Sequence, residues 1–377
     1  MRDPNEVKPF ILHPDPLVRD FVVEYFQESF SKDPGLMPLV LQVCERAPDD
    51  ENIRLMLSNA VNFVQTPETL AQCLKLYRAS QFNRPWYEQI ILHTEPGLLR
   101  QFPGELQSLP EPLQIKIGEY IRMSLLNTAD LWLEFINFGS KNTGMYLDEF
   151  DYKYGVFIAR ELAKRSDFSK EQALDLLRAD YSADYDGYLD IYATVLAGEL
   201  RLEEAIPVLL DNIRKEGDAL SEEAEAALTK TGSEAVIHQL RECFPRENWI
   251  FRLYTANVFG NVKLTCCEEI ILELLRKEKD ETIITILAKS LCRLLARRGI
   301  PAVRNLIYEG YDRSLLNLAE YLYCNCIING VDLPEMQQWR EEIAEEAERV
   351  KRILEDDFLD DEDDDEDGDY ENEDDID

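Results

Sequence analysis

Ala193-Thr194-Val195-Leu196-Ala197-Gly198 and Ala256-Asn257-Val258-Phe259-Gly260-Asn261 repeat one pattern, with Ala224 standing between them. Extended in both directions, the alanines at 193, 224, 256, 288 and 319 each sit in an apolar helical run, at spacings of 31, 32, 32 and 31. A fixed period of this size marks a repeated supersecondary unit. A second comb interleaves with the first: Glu204-Ala205-Ile206-Pro207-Val208-Leu209-Leu210, then Glu234-Ala235-Val236-Ile237, Glu269-Ile270-Ile271 and Pro301-Ala302-Val303. Two combs in one period make each unit a helix pair, and a small alanine in the second helix lets neighbouring helices approach closely. The turns are expected at Gly198, Gly217, Gly232, Gly260, Gly299 and Gly330, because glycine closes a helix in the left-handed conformation without steric cost.

The start of the chain repeats less regularly. His13-Pro14-Asp15-Pro16-Leu17-Val18-Arg19-Asp20 opens a helix through Phe21, Val22, Tyr25 and Phe26, with Asp15 as its cap and Pro16 in its first turn. Glu51-Asn52-Ile53-Arg54-Leu55 restates the Val18-Arg19 pair 35 residues later. Asp-Pro-x-Val-Arg at the head of one helix and Ala-Ile-Pro-x-Leu-Leu in the other resemble HEAT repeats of the bilin-lyase-like ("PBS lyase HEAT-like") type. The resemblance is clearest over 188–330, weaker over 8–80 and weakest over 95–187. It implies an all-α fold, a right-handed superhelix of antiparallel helix pairs (a HEAT-like α-α solenoid) with a concave binding face. Tetratricopeptide repeats fit less well, since the period is short of 34 residues and their Trp/Gly/Tyr pattern is missing.

No pair can bury its apolar stripe alone, so units stack and the ends need polar caps. Met336, Trp339, Ile343, Ala347, Val350 and Leu354 form one stripe at helical steps, which reads as a capping helix over 335–354. The expected organisation is a solenoid over 1–354 and a disordered acidic tail over 355–377. That tail holds 17 of the 75 acidic side chains and no basic one, leaving 58 acids against 40 bases, or −18, in residues 1–354. Self-repulsion and few apolar groups leave such a tail too little burial to offset its chain entropy.

The negative field repels nucleic-acid phosphates and anionic membranes, and it attracts basic partners. Direct nucleic-acid binding is therefore disfavoured and a protein partner, basic in character, is favoured. The N-terminus has neither the basic start nor the apolar run of a signal peptide, and no stretch reaches the length of a spanning helix. Eight cysteines inside apolar helical patterns read as reduced, buried thiols of a cytoplasmic protein.

Chemistry-bearing patterns are scarce. The three histidines, His13, His93 and His238, fall in no metal or catalytic motif. Gly139-Ser140-Lys141-Asn142-Thr143-Gly144 has the glycine spacing of a phosphate loop, but Met145 and Tyr146 replace its Lys and Ser/Thr, so it reads as a loop between helices. Ser182 to Asp190 resembles a calcium loop and lacks the closing Glu, Ala193 taking its place. Catalytic, cofactor and metal sites are expected to be none.

Two patches are candidates for binding. Tyr181, Asp184, Tyr185, Asp186 and Tyr188 combine aromatic faces with carboxylates, a chemistry suited to a basic peptide. The plainer reading is an inter-repeat loop with its tyrosines packed on neighbours. Arg293, Arg297, Arg298 and Arg304 form a rare basic stretch, either a solvated helix face or a dock for an acidic segment such as the tail. The tail then acts as an electrostatic gate or simply as a solubility device. The expected function is a non-enzymatic scaffold or adaptor whose groove holds a protein. The alternative is a HEAT-like enzyme of the bilin lyase or DNA glycosylase type. The lyase rests on fold analogy alone, and the glycosylase conflicts with the acidic body.

Overall fold

Each alanine of the comb has its own helix. Ala193 lies in Leu189–Glu199, Ala224 in Ala219–Thr231, Ala256 in Trp249–Asn261, Ala288 in Glu281–Arg293 and Ala319 in Leu318–Asn329. All five are buried, and each of these helices packs on the next. The computed structural model describes residues 2–142, 145–179, 188–215 and 219–363, of which 354–363 are described for their backbone alone. Among the described residues are 22 α-helices and no strand, so the chain is all-α.

The second comb occupies the helices between: Ile206–Ile213, Glu234–Cys243, Thr265–Leu275 and Ile300–Glu309. Thr265–Leu275 packs on the comb helices before and after it, and Ile300–Glu309 does the same. Caps define the starts. Asp15 accepts from Leu17 N–H at 3.1 Å ahead of Pro16, Asn248 from Phe251 N–H at 2.8 Å, and Asp280 from Ile283 N–H at 3.1 Å. Each satisfies an orphan donor of a first helical turn.

The ends differ from expectation. Phe30, Arg201 and Leu295, none of them glycine, take left-handed φ values of 50°, 51° and 52°. The amide after each returns to a carbonyl five residues back: Ser31 to Phe26, Leu202 to Ala197 and Ala296 to Leu291. These are Schellman closures, repeated at one position of the unit. Of the expected glycine turns, Gly232 and Gly330 have φ of 56° and 60°, Gly299 sits in a short 3-10 turn, and Gly217 lies outside the described residues. Gly198 and Gly260 are helical instead. A Cβ on Gly198 would stand 2.6 Å from Ala227 Cα, and one on Gly260 2.8 Å from Ser290 Cβ. Their hydrogen is the contact surface between comb helices.

The row of comb helices continues into the segment where no repeat is readable. Leu189–Glu199 packs on Tyr152–Ala163, which packs on Glu111–Ser124, and the row passes on to Arg84–Leu92, Arg54–Asn59 and Pro16–Glu28. Pro16–Glu28 then packs on Leu318–Asn329, the last helix of the comb. The row thus returns to its start. Tyr323 Oη donates to Asp15 Oδ2 at 2.8 Å, and the Arg2 guanidinium donates to the Ile328 carbonyl. Leu295, Cys324 and Ile328 join the hydrophobic cluster built from residues 7–117. First and last helices of the row bury each other and do not stand as two separate ends.

The chain divides into Met1–Asn329, which holds this whole row, and Gly330–Asp377. In the second unit one helix runs Met336–Asp363. Of its expected stripe, Met336, Trp339 and Ile343 are buried, whereas Ala347 and Val350 are exposed. The larger part of the acidic tail, residues 364–377, lies outside the described residues.

Candidate binding cavity

A cavity of about 740 Å³ opens in the first unit, walled by comb helices from Pro16–Glu28 to Ala219–Thr231 and by the turns that end them. Six bases line it (Lys32, Lys153, Arg160, Lys164, Arg201, Lys230) together with four acids (Glu95, Glu161, Glu199, Glu223). In a chain of formal charge −35 this wall carries an excess of two positive charges. Aromatic rings stand among neutral polar and aliphatic side chains in the rest of the wall, including Phe30, Trp86 and a stacked pair, Tyr120 and Phe157, with centroids 4.1 Å apart.

The charges are placed by the repeat. Arg160 and Lys230 sit in the last turns of Tyr152–Ala163 and Ala219–Thr231, and Glu199 ends Leu189–Glu199. Cations at helix C-termini complement the carbonyl ends of the macrodipole. Lys230 Nζ lies 2.8 Å and Arg160 Nε 3.3 Å from Glu199 Oε1. Lys230 also stands 4.8 Å above the Phe30 ring, so opposite parts of the row meet here. Burial works against the Glu199 charge, but Lys230, Arg160 and Lys32 together outweigh it and hold the carboxyl below its ordinary range. For Lys32 burial is the largest influence and, with Arg160 and Lys230, it depresses the ammonium, against the pull of Glu199 and Glu95.

The remaining charges are mostly satisfied. Lys164 Nζ is 2.5 Å from Glu161 and 2.6 Å from Glu95, and Tyr152 Oη donates to Glu223 at 2.9 Å. His93 is pushed down to about 4, chiefly by burial and then by Arg160 and Lys153, so its imidazole is neutral near pH 7. Its Nδ1 is 2.8 Å from the Gln89 carbonyl.

A second charged group lies where the row closes. Arg293 is 1% exposed and pairs with Glu24 and, at 2.9 Å, with Glu28. Its guanidinium also faces the Phe21 and Tyr321 rings, at 5.4 and 5.6 Å. Lys263 Nζ donates to the carbonyls of Gly260 and Arg293 and sits 4.2 Å over the Tyr25 ring.

The basic stretch therefore does not form one dock. Arg293 is inside the closure, 1% exposed and paired with Glu24 and Glu28, so it does not lie on a solvated helix face. Arg298 is 61% exposed, with its Nε 2.8 Å from Glu268, and Arg304 lies over the Tyr308 ring at 6.0 Å. Arg297 is exposed in the turn. In the acidic-aromatic stretch, Tyr181, Asp184, Tyr185 and Asp186 lie outside the described residues. Tyr188 is packed: its hydroxyl donates to the Met145 carbonyl and its ring lies 4.7 Å from Phe150. Gly139, read as the head of a loop, is buried within helix Thr128–Lys141, where a Cβ would meet Leu189 at 2.5 Å.

Lys32, Arg160, Glu199 and Lys230 escape a motif search because they come from different units. A signal was nonetheless present. Glu199 and Lys230 are 31 residues apart, the comb period, and Lys263 and Arg293 follow at 33 and 30. Reading charges five to seven residues after each comb alanine finds Glu199, Lys230, Lys263 and Arg293, but neither Lys32 nor Arg160.

Six of the eight cysteines are buried, and all are free thiols. Among the described residues no group of three or more His, Cys, Asp or Glu is placed to hold a metal ion, and no helix is long and apolar enough to cross a membrane. Compared with known proteins, the chain matches no family model and no curated protein.

Proposed function

We propose that this chain is a non-enzymatic binding protein, a HEAT-like solenoid of helix pairs whose single superhelical turn bends back on itself and receives a segment of a partner protein in its cavity. The observation that carries this reading is the cavity itself, of about 740 Å³, in which aromatic rings and a convergent set of charges are held by rigid helices. A concave site largely formed in advance, with convergent polar groups among aromatic side chains, is the usual setting for a ligand, and the many charges here suit a polar segment. The acidic body, −18 over residues 1–354, suits a partner whose flanking surface is basic and steers it to the cavity mouth. A glycosylase-type enzyme would need a cationic face open to a duplex, whereas here the cations crowd into a cavity beside four carboxylates. Free, buried cysteines accord with a reducing compartment, and we assign the protein to the cytoplasm on that ground.

The test is capture of partners from native lysate by the full chain and by Val156→Trp, which fills the cavity from Tyr152–Ala163. A photo-crosslinking residue at Phe157 locates the captured segment. The expected result is loss of the partner in Val156→Trp at an unchanged melting temperature, and a partner peptide joined at position 157. Capture that ignores the filled cavity overturns the reading.

A further inference from the structure

Inside the cavity one small region is over-supplied with positive charge. Arg160 and Lys230 both pair with one carboxylate, Glu199, at 3.3 and 2.8 Å, and Lys32 lines the same wall. The Lys32 ammonium has no hydrogen-bond or ion-pair partner among the described residues. Lys32 is an exposed side chain of the cavity wall, acted on by Glu199 and Glu95, and over the whole wall six bases face four acids, an excess of two positive charges. Like charges gathered along one wall repel each other, and a counter-charge that joins them relieves the repulsion. The neighbouring cation, Lys164, shows the contrast: it is matched by Glu161 and Glu95. The Arg160 fork also reaches Asn62 Oδ1 at 3.3 Å, which fixes the guanidinium from a second side.

We propose that Lys32, Arg160 and Lys230 form an anchor for an oxyanion group, a phosphoryl group or clustered carboxylates, on the ligand that enters the cavity. The anchor deepens the binding reading above and rests on it. A dianion matches the excess charge. The ammonium of Lys32 supplies unused donors, Lys230 and Arg160 share theirs with Glu199, and Phe30 backs Lys230 through its ring face. The occupant is then an acidic or phosphorylated segment set into a cationic pocket, with the acidic exterior addressing whatever basic flank it carries.

The experiment titrates the full chain by calorimetry at low ionic strength with two probes, inorganic phosphate and hexaglutamate. One-site saturable binding of either probe is expected, weakened about tenfold by Lys32→Gln, since one charge-assisted contact is worth about that much. Glu199→Gln should tighten it, because Lys230 and Arg160 then turn wholly to the ligand. Lys277→Gln, at an exposed lysine in the turn after Thr265–Leu275 and outside the cavity wall, is the control and should change nothing. Binding of phosphate alone assigns a phosphoryl group, and binding of hexaglutamate alone assigns carboxylates. The proposal is overturned if neither probe saturates, or if Lys32→Gln and Lys277→Gln act alike. Phosphate binding that depends on Lys32, in a protein whose partner capture ignores Val156→Trp, keeps the anchor and removes the partner reading.

Discussion

Replacing Arg293 with Met tests whether the row of helices is held closed by its buried charges. The guanidinium is 1% exposed, between Glu24 and Glu28 of the first comb helix and the Phe21 and Tyr321 rings. Methionine keeps most of the apolar stem and removes the charge. Two carboxylates one turn apart are then left facing a site that has lost its cation. Glu28, whose pKa is already raised by burial and countered by Lys289 and Lys263, is worst placed. Removing one partner of a buried ion pair costs about 3–5 kcal/mol. At about 2 °C per kcal/mol for a unit this large, the melting temperature should fall by roughly 6–10 °C. Hydrogen exchange should rise together in Pro16–Glu28 and Leu318–Asn329, 290 residues apart in sequence at their nearest ends yet packed on each other. Adding Glu24→Gln and Glu28→Gln to Arg293→Met should recover more than half of the loss, because no unpaired charge then remains. A single mutant that melts within a degree of the parent would refute the reasoning. So would exchange that rises in one of the two helices only, or a triple mutant no better than the single.

Glycine contacts should show opposite signs at two positions. Gly198→Ala should cost about 1–3 kcal/mol through overpacking on Ala227 in spite of a better helix propensity, whereas Gly118→Ala, with open space around it, should add up to about 1 kcal/mol; thermal melts decide both. Glu225 is raised to about 8, first by burial and then by Glu28, against the hydrogen bond from Asn257. The folded state therefore holds a proton that the unfolded chain has released, and this group makes stability fall as pH rises from about 4.5 to 8. Glu225→Gln should accordingly be more stable than the parent at pH 8, with the difference vanishing near pH 5, as measured by denaturation at the two values. A thiol reagent should modify Cys243 and Cys266 in the native protein and reach the six buried cysteines only on unfolding; rapid native reaction at Cys292 or Cys324 would contradict the packing at the closure.

The 31–32-residue comb by itself determined that the chain is helical, that its units are pairs, and which alanine each second helix buries. Those are local matters: amphipathic periodicity selects the helix, Asp15, Asn248 and Asp280 start it, and a small residue must recur wherever neighbouring units touch in the same way. The role of Gly198 and Gly260 was not legible, since a glycine that ends a helix and a glycine that lets two helices touch look alike until the partner, Ala227 or Ser290, is in place. Nor was the fate of Arg293, which in sequence is one more base beside Arg297 and Arg298. It became the centre of the closure only because Pro16–Glu28 comes round to meet Leu318–Asn329. That return is built from one helix-to-helix contact after another along the row. Each contact is set by side-chain packing between elements distant in sequence, so no window of sequence contains the return. The cavity follows in the same way: Glu199 and Lys230 share a place in the repeat, but Lys32 comes from a connection and Arg160 from a segment with no readable repeat, so only the tertiary structure puts all four on one wall.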